Sequence, residues 1–259
     1  MKLPLYQIDA FANKAFEGNP AAICPLQEWL DDDVLLSIAE ENNLSETAYF
    51  IKTEGGFQIR WFTPTTEVDL CGHATLAAAF VIFNLLGYEK DSICFESKSG
   101  ILTVTKESSL LVMDFPSDPA TPCQLPTELE QAFNLKPIEC LKAEDYIIVL
   151  NDESEVLAVK PKLELLKSLD LRGVIITASS ENYDFVSRFF APKFGIDEDP
   201  VTGSAHTQLT PYWSKKLNKN KLHAKQISKR GGELFCELNG NRVSIAGNAI
   251  KYLQGEIEI

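Results

Sequence analysis

Two stretches of this chain repeat one another at half its length, and that repetition limits the architectures open to it. The first runs Phe62-Thr63-Pro64, then Asp69-Leu70-Cys71-Gly72-His73-Ala74, and leads into a strongly apolar run. The second runs Phe190-Ala191-Pro192, then Asp199-Pro200-Val201-Thr202-Gly203-Ser204-Ala205, and leads into another helix-like segment. Gly72 and Gly203 lie 131 positions apart in a chain of 259 residues. Further on, Ser99-Gly100-Ile101-Leu102-Thr103-Val104 resembles Gly231-Gly232-Glu233-Leu234-Phe235-Cys236 at an offset of 132, and Val112 matches Val243 at 131. Matches at nearly one offset point to a duplicated fold with a site between its halves. The stretch 115–126, with Pro116, Pro119, Pro122 and Pro126, is the expected linker, leaving residues 1–114 and 127–259 as the two halves.

Local patterning fills in the first half. Leu5–Ala10 reads as a strand, followed by a turn-rich Phe16-Glu17-Gly18-Asn19-Pro20. Asp31–Asp33 suit the N-cap and first turn of a helix reaching about Asn43, with Val34, Leu35, Ile38 and Ala39 at helical spacing. Glu46–Lys52 and Phe57–Thr63 are strand candidates. From Leu70 to Leu86 the chain is apolar on nearly every side of a helix, so that helix is expected to be buried in the middle of a curled sheet, stopping at Gly87. Its small residues Ala74, Ala77, Ala78 and Ala79 permit close approach of strands. In the second motif's helix, Pro211 predicts a kink or an early end.

The net charge of −13 disfavours nucleic acid and anionic membrane surfaces, and no basic stripe with interleaved aromatics offsets it. No apolar run approaches the roughly 18 residues that span a bilayer, and the N-terminus reads as a strand rather than a leader, so a cytoplasmic location is expected. The six cysteines are scattered without a C-x-x-C pair and the three histidines are dispersed, which announces neither a disulfide framework nor a metal motif. No phosphate-binding glycine loop is present. No metal and no cofactor are expected.

The candidate chemistry sits at the two motifs and in Ser45-Glu46-Thr47. Helix starts at Gly72 and Gly203 would each offer unpaired backbone N–H groups and the positive end of a helix dipole, suited to clamping a carboxylate; each could also be an ordinary helix start. Strand alternation puts Glu46 on one face with Ala48 and Phe50. If that face is the inner one, a carboxylate among apolar groups is suited to moving protons. Thr47, Tyr49 and Ile51 could equally face the core. His73 reads as an acid/base, a donor to substrate, or a structural histidine. Asp199 could orient His73 or cap the helix that follows, and His206 reads as packing.

Taken in order, Asp9-Ala10-Phe11, Phe16-x-Gly18-Asn19-Pro20-Ala21, Ser45-Glu46-Thr47-Ala48, Phe62-Thr63-Pro64 with Glu67-Val68, Cys71-Gly72-His73-Ala74-Thr75 and Asp199-Pro200-Val201-Thr202-Gly203-Ser204-Ala205-His206 resemble the phenazine-biosynthesis PhzF-like family. The resemblance reaches from residue 9 to about 213. It implies an α+β, diaminopimelate-epimerase-like fold: two pseudo-symmetric halves, each a β-sheet rolled around a central α-helix. It also implies a cofactor-independent isomerase that moves a proton within a small carboxylate-bearing substrate. By the same resemblance Glu46 is the acid/base, His73, Asp199 and Ser204 are the other catalytic residues, Gly72, Gly203 and Asn19 hold the substrate, and the protein is a homodimer. A second reading is a two-base epimerase or racemase using Cys71, but the position equivalent to Cys71 is Thr202, which cannot abstract a proton at neutral pH. A third is a non-catalytic small-molecule-binding protein.

Overall fold

The computed structural model describes residues 1–134 and 136–259. The chain divides into two compact units, Met1–Asp114 together with Ala246–Ile259, and Phe115–Ile245. Two expected boundaries are corrected. Residues 115–126 belong to the second unit instead of linking the halves: the Ser117 N–H donates to the Asn241 carbonyl, and Thr121–Pro122 pairs with Glu139–Lys142. The closing residues 246–259, expected in the second half, belong to the first. Ala249–Glu258 runs antiparallel to the opening strand Lys2–Ala10, from Lys2↔Glu258 to Ala10↔Ala249. A strand's backbone groups must find partners, so the ladder rather than the position in sequence decides where a terminal segment belongs.

In the first unit, Lys2–Ala10 also pairs antiparallel with Asn19–Leu26, which pairs parallel with Glu46–Lys52 across a crossover carrying the helix Asp32–Asn42. Glu46–Lys52 continues antiparallel to Phe57–Phe62, which in turn lies parallel to Ser92–Ser97. The helix Gly72–Asn84 packs against the strands Lys2–Ala10, Asn19–Leu26 and Glu46–Lys52 and against the C-terminal strand. Ala74, Ala77, Ala78 and Ala79 are wholly buried there, as expected of a helix with sheet on several sides. The other face of the sheet is covered too: the Asp32–Asn42 helix packs on it, and the Tyr49 hydroxyl donates to the Leu35 carbonyl at 2.7 Å. A parallel strand pair with both faces covered is buried on both, which explains why alternation could not choose a face for Glu46.

The second unit repeats the same order of pairings. Glu139–Lys142 pairs antiparallel with Tyr146–Val149, which pairs parallel with Val174–Ala178 across a crossover of two short helices. Val174–Ala178 continues antiparallel to Phe185–Ala191, which lies parallel to Lys221–Gln226, as Phe57–Phe62 lies parallel to Ser92–Ser97. Its central helix, Gly203–Leu217, carries Trp213, whose ring stacks on Phe185 with centroids 5.6 Å apart and whose indole N–H donates to Thr177 Oγ1. Pro211 does not end this helix. The Thr207 carbonyl, which a proline four residues later cannot bond, accepts instead from the Asp118 N–H at 3.1 Å. The expected linker therefore supplies the missing donor. Among the described residues no helix is long and apolar enough to cross a membrane.

One turn positions a site residue directly. Gly18 has φ of +70°, and a Cβ placed there would strike the Ala10 carbonyl oxygen. Gly18 is thus required to bring the next residue, Asn19, into its strand. Gly18→Ala is expected to lower stability by about 1–3 kcal/mol, read from the urea midpoint; an unchanged midpoint would show that the turn relaxes freely.

Candidate active site

Glu46 opens its strand, opposite Ala21 in the parallel register, and its side chain is 12% exposed. His73 is the second residue of the first unit's central helix and is buried. The two meet: His73 Nε2 lies 3.2 Å from Glu46 Oε2, close but not aligned as a full hydrogen bond. Glu46 therefore points inward toward the central helix, on the face of Ala48 and Phe50. On the other side of the ring, His73 Nδ1 lies 3.3 Å from Asn19 Nδ2 and 3.5 Å from Cys71 Sγ. Burial pushes the His73 pKa down to about 3, so the ring is neutral at pH 7 and its contact with Glu46 is not an ion pair.

Four residues from three elements thus form one chain: Asn19 and Cys71, then the imidazole, then the carboxylate. Ligand atoms of Glu46, Cys71 and His73 also lie within 4.8 Å of one another, the kind of set that can hold a metal ion. Sequence spacing does not announce this set, because Glu46 comes from a distant strand. Tetrahedral zinc, with bonds of about 2.0–2.3 Å, needs ligand atoms roughly 3.3–3.8 Å apart around one point. Here Cys71 faces one ring nitrogen and Glu46 the other. With its polar neighbours on opposite sides of the ring, the arrangement fits a row of polar contacts better than a coordination shell.

In the second unit the motif is held by a residue that no motif announced. Thr202, not Asp199, is the N-cap of the central helix, and its hydroxyl donates to Asp199 Oδ2 at 2.5 Å. Gln226, wholly buried, accepts from the Thr202 N–H at 2.9 Å and donates to the Asp199 carbonyl at 2.8 Å and to Thr202 Oγ1 at 3.1 Å. The available signal was its register: Leu222 and Ala224 face inward on the same strand, and Gln226 follows them as a polar residue on that face. Ser204 follows Gly203 in the first turn and is half-buried.

The two helix starts are built alike. Cys71 has φ −144° and ψ 108°, Thr202 has φ −115° and ψ 98°, and neither side chain caps its helix. In each, the residue four positions on donates to the N-cap carbonyl, Thr75 Oγ1 to Cys71 and His206 Nδ1 to Thr202. The backbone is duplicated while the side chains differ. His206, wholly buried against Phe185, has its pKa lowered to about 4 by burial.

These two histidines set an acid limit on stability. Both have folded pKa values below their ordinary 6.5, so the folded protein resists a proton that the unfolded chain accepts. Their stabilisation is fully present above pH 6.5 and is lost as pH falls through about 4 and then 3. Unfolding is expected to take up close to two protons in that window, measured by urea midpoints against pH. A flat profile would mean that the rings are solvated.

Comparison with known proteins gives a consistent picture. The family profile described as "Phenazine biosynthesis-like protein" matches residues 8–255. An uncharacterized isomerase of Pseudomonas aeruginosa is 49% identical over 259 residues, covering all of both chains. A solved PhzF-family phenazine biosynthesis protein of Enterococcus faecalis superposes with a TM-score of 0.98 at 48% identity over all of both chains. A predicted epimerase of P. aeruginosa shares the fold, with a TM-score of 0.77 at 19% identity, covering 98% of this chain and 99% of its own.

Proposed function

The chain belongs to the phenazine biosynthesis-like PhzC–PhzF family, and from that premise we propose that it is an isomerase moving a proton within a small carboxylate-bearing molecule, without a cofactor. The observation that carries the reading is the Glu46–His73 pair: a half-buried carboxylate 3.2 Å from a neutral imidazole. A general base must be desolvated enough to be reactive and still reachable. Glu46, which keeps 12% of its side chain exposed, meets both conditions. In this reading Glu46 takes the proton from one carbon and returns it to another, and His73 fixes the carboxylate. Asp199 and Ser204 align or polarise the substrate, and backbone N–H groups at Gly72 and Gly203 receive its carboxylate.

The two-base epimerase reading is weakened by the same geometry. Thr202 occupies the position of the repeat equivalent to Cys71, in a similar backbone conformation, and offers no thiol. The test is proton NMR in deuterium oxide with a panel of cyclic and acyclic carboxylates, including a dihydro-hydroxyanthranilate and free α-amino acids. Conversion with solvent deuterium at a carbon, without added cofactor and dependent on Glu46, supports the proposal. Deuterium at an amino-acid α-carbon that vanishes in Cys71→Ala would replace it with the epimerase reading.

A further inference from the structure

We propose that Asn19 and the Cys71 thiol hold His73 as its neutral Nε2–H tautomer, so that the ring presents a donor to Glu46. This deepens the proposed function by giving Asn19 a positioning role toward the ring. Because burial keeps the imidazole neutral, only two tautomers compete, and whichever nitrogen accepts leaves the other to donate. Nδ1 faces the Asn19 amide nitrogen at 3.3 Å and the Cys71 sulfur at 3.5 Å. An amide NH2 only donates, and a thiol donates weakly through its S–H. Two donors converging on Nδ1 make it the acceptor and put the ring proton on Nε2, 3.2 Å from Glu46 Oε2.

The alternative is a reversed Asn19 amide. Its oxygen would accept from an Nδ1–H, Nε2 would turn a lone pair toward Glu46, and Glu46 would have to carry a proton at rest. The Asn19 amide is oriented with its nitrogen toward Nδ1, and the ring nitrogen spectrum separates the two arrangements directly. In the proposed tautomer the Nε2–H faces Glu46 Oε2 at 3.2 Å, off the line of a full hydrogen bond. The thiol of Cys71 then serves as a donor to the ring and not as a base.

His206 supplies an internal reference of opposite sense. Its Nδ1 lies 2.8 Å from the Thr202 carbonyl, which only accepts, so His206 is the Nδ1–H tautomer. The test is nitrogen-15 NMR of the histidine rings in the protein without substrate, comparing wild type with Asn19→Asp. In wild type the protonated-type signal of His73 is expected on Nε2 and that of His206 on Nδ1. In Asn19→Asp the carboxylate demands a ring proton, so the His73 signal moves to Nδ1 while His206 is unchanged; any measurable turnover falls by about 100-fold or more. A wild-type His73 signal on Nδ1, or a His73 tautomer that Asn19→Asp leaves in place, would overturn the proposal. The wild-type spectrum decides the matter even where the variant fails to fold. Because no substrate is involved, failure here is distinct from failure of Glu46 as the acid/base.

Discussion

Glu46→Gln is expected to leave the fold intact and to reduce isomerisation of any accepted carboxylate by about 10³-fold or more. The amide matches the carboxylate in size, and it can still place an oxygen near His73 Nε2, which lies 3.2 Å from the native carboxylate. What the variant loses is the ability to take and return a proton, and positioned acid/base groups contribute about 10²–10⁴ in rate. Glu46→Asp separates chemistry from reach: it keeps the acid but withdraws it by one methylene, and a partial loss, intermediate between wild type and Glu46→Gln, is expected. The measurement is turnover beside urea midpoints for all three proteins. Wild-type turnover in Glu46→Gln with an unchanged midpoint would remove Glu46 from the mechanism.

The largest expected loss of stability lies in the second unit, at Asp145. Its side chain is wholly buried and accepts from Arg172 Nε at 3.0 Å, Arg172 Nη2 at 2.5 Å and Gln208 Nε2 at 2.7 Å, while its own N–H donates to Gln208 Oε1 at 3.2 Å. Gln208 is itself wholly buried and lies on the central helix whose first turn carries Gly203 and Ser204. Asp145→Ala leaves the Arg172 guanidinium and the Gln208 amide without their carboxylate. Removing one member of a buried charge pair costs about 3–5 kcal/mol, and the 29% exposure of Arg172 lets water and Glu144 recover part of it. A loss of about 3 kcal/mol is therefore expected from urea unfolding. Asp145→Asn, which keeps an acceptor, should cost less. A loss under about 1 kcal/mol in Asp145→Ala would mean that Glu144 takes over the pair.

Much of the fold was legible because it depends on which side chains avoid water. The apolar run after Cys71 is the buried helix Gly72–Asn84, and the strand and helix candidates before it fall where they were expected. The repeat is matched by an identical order of strand pairings in the two units. Backbone satisfaction was less legible, because it depends on partners far away in sequence. The C-terminal strand follows Lys2–Ala10 into the first unit, and Asp118 answers the carbonyl that Pro211 leaves open. The candidate site divides along the same line. Glu46 and His73 could be named from motif and resemblance, whereas the roles of Asn19 toward His73 and of Gln226 toward Thr202 depend on contacts across 54 and 24 positions.

By itself, the sequence determined a duplicated α+β chain, a pair of like helix starts, and a break in their likeness where Cys71 meets Thr202. Those features are written in local patterns of burial and in residue identity, which need no knowledge of neighbours. Only the tertiary structure decided which face of its strand Glu46 occupies. Both faces of that strand are covered, so burial alone could not separate them, and the choice came from His73 on the central helix lying opposite one face. The tertiary structure likewise placed Asn19 and Cys71 on one side of the His73 ring and Glu46 on the other. A ring's protonation follows from what surrounds it in space, and a one-dimensional pattern does not carry that information.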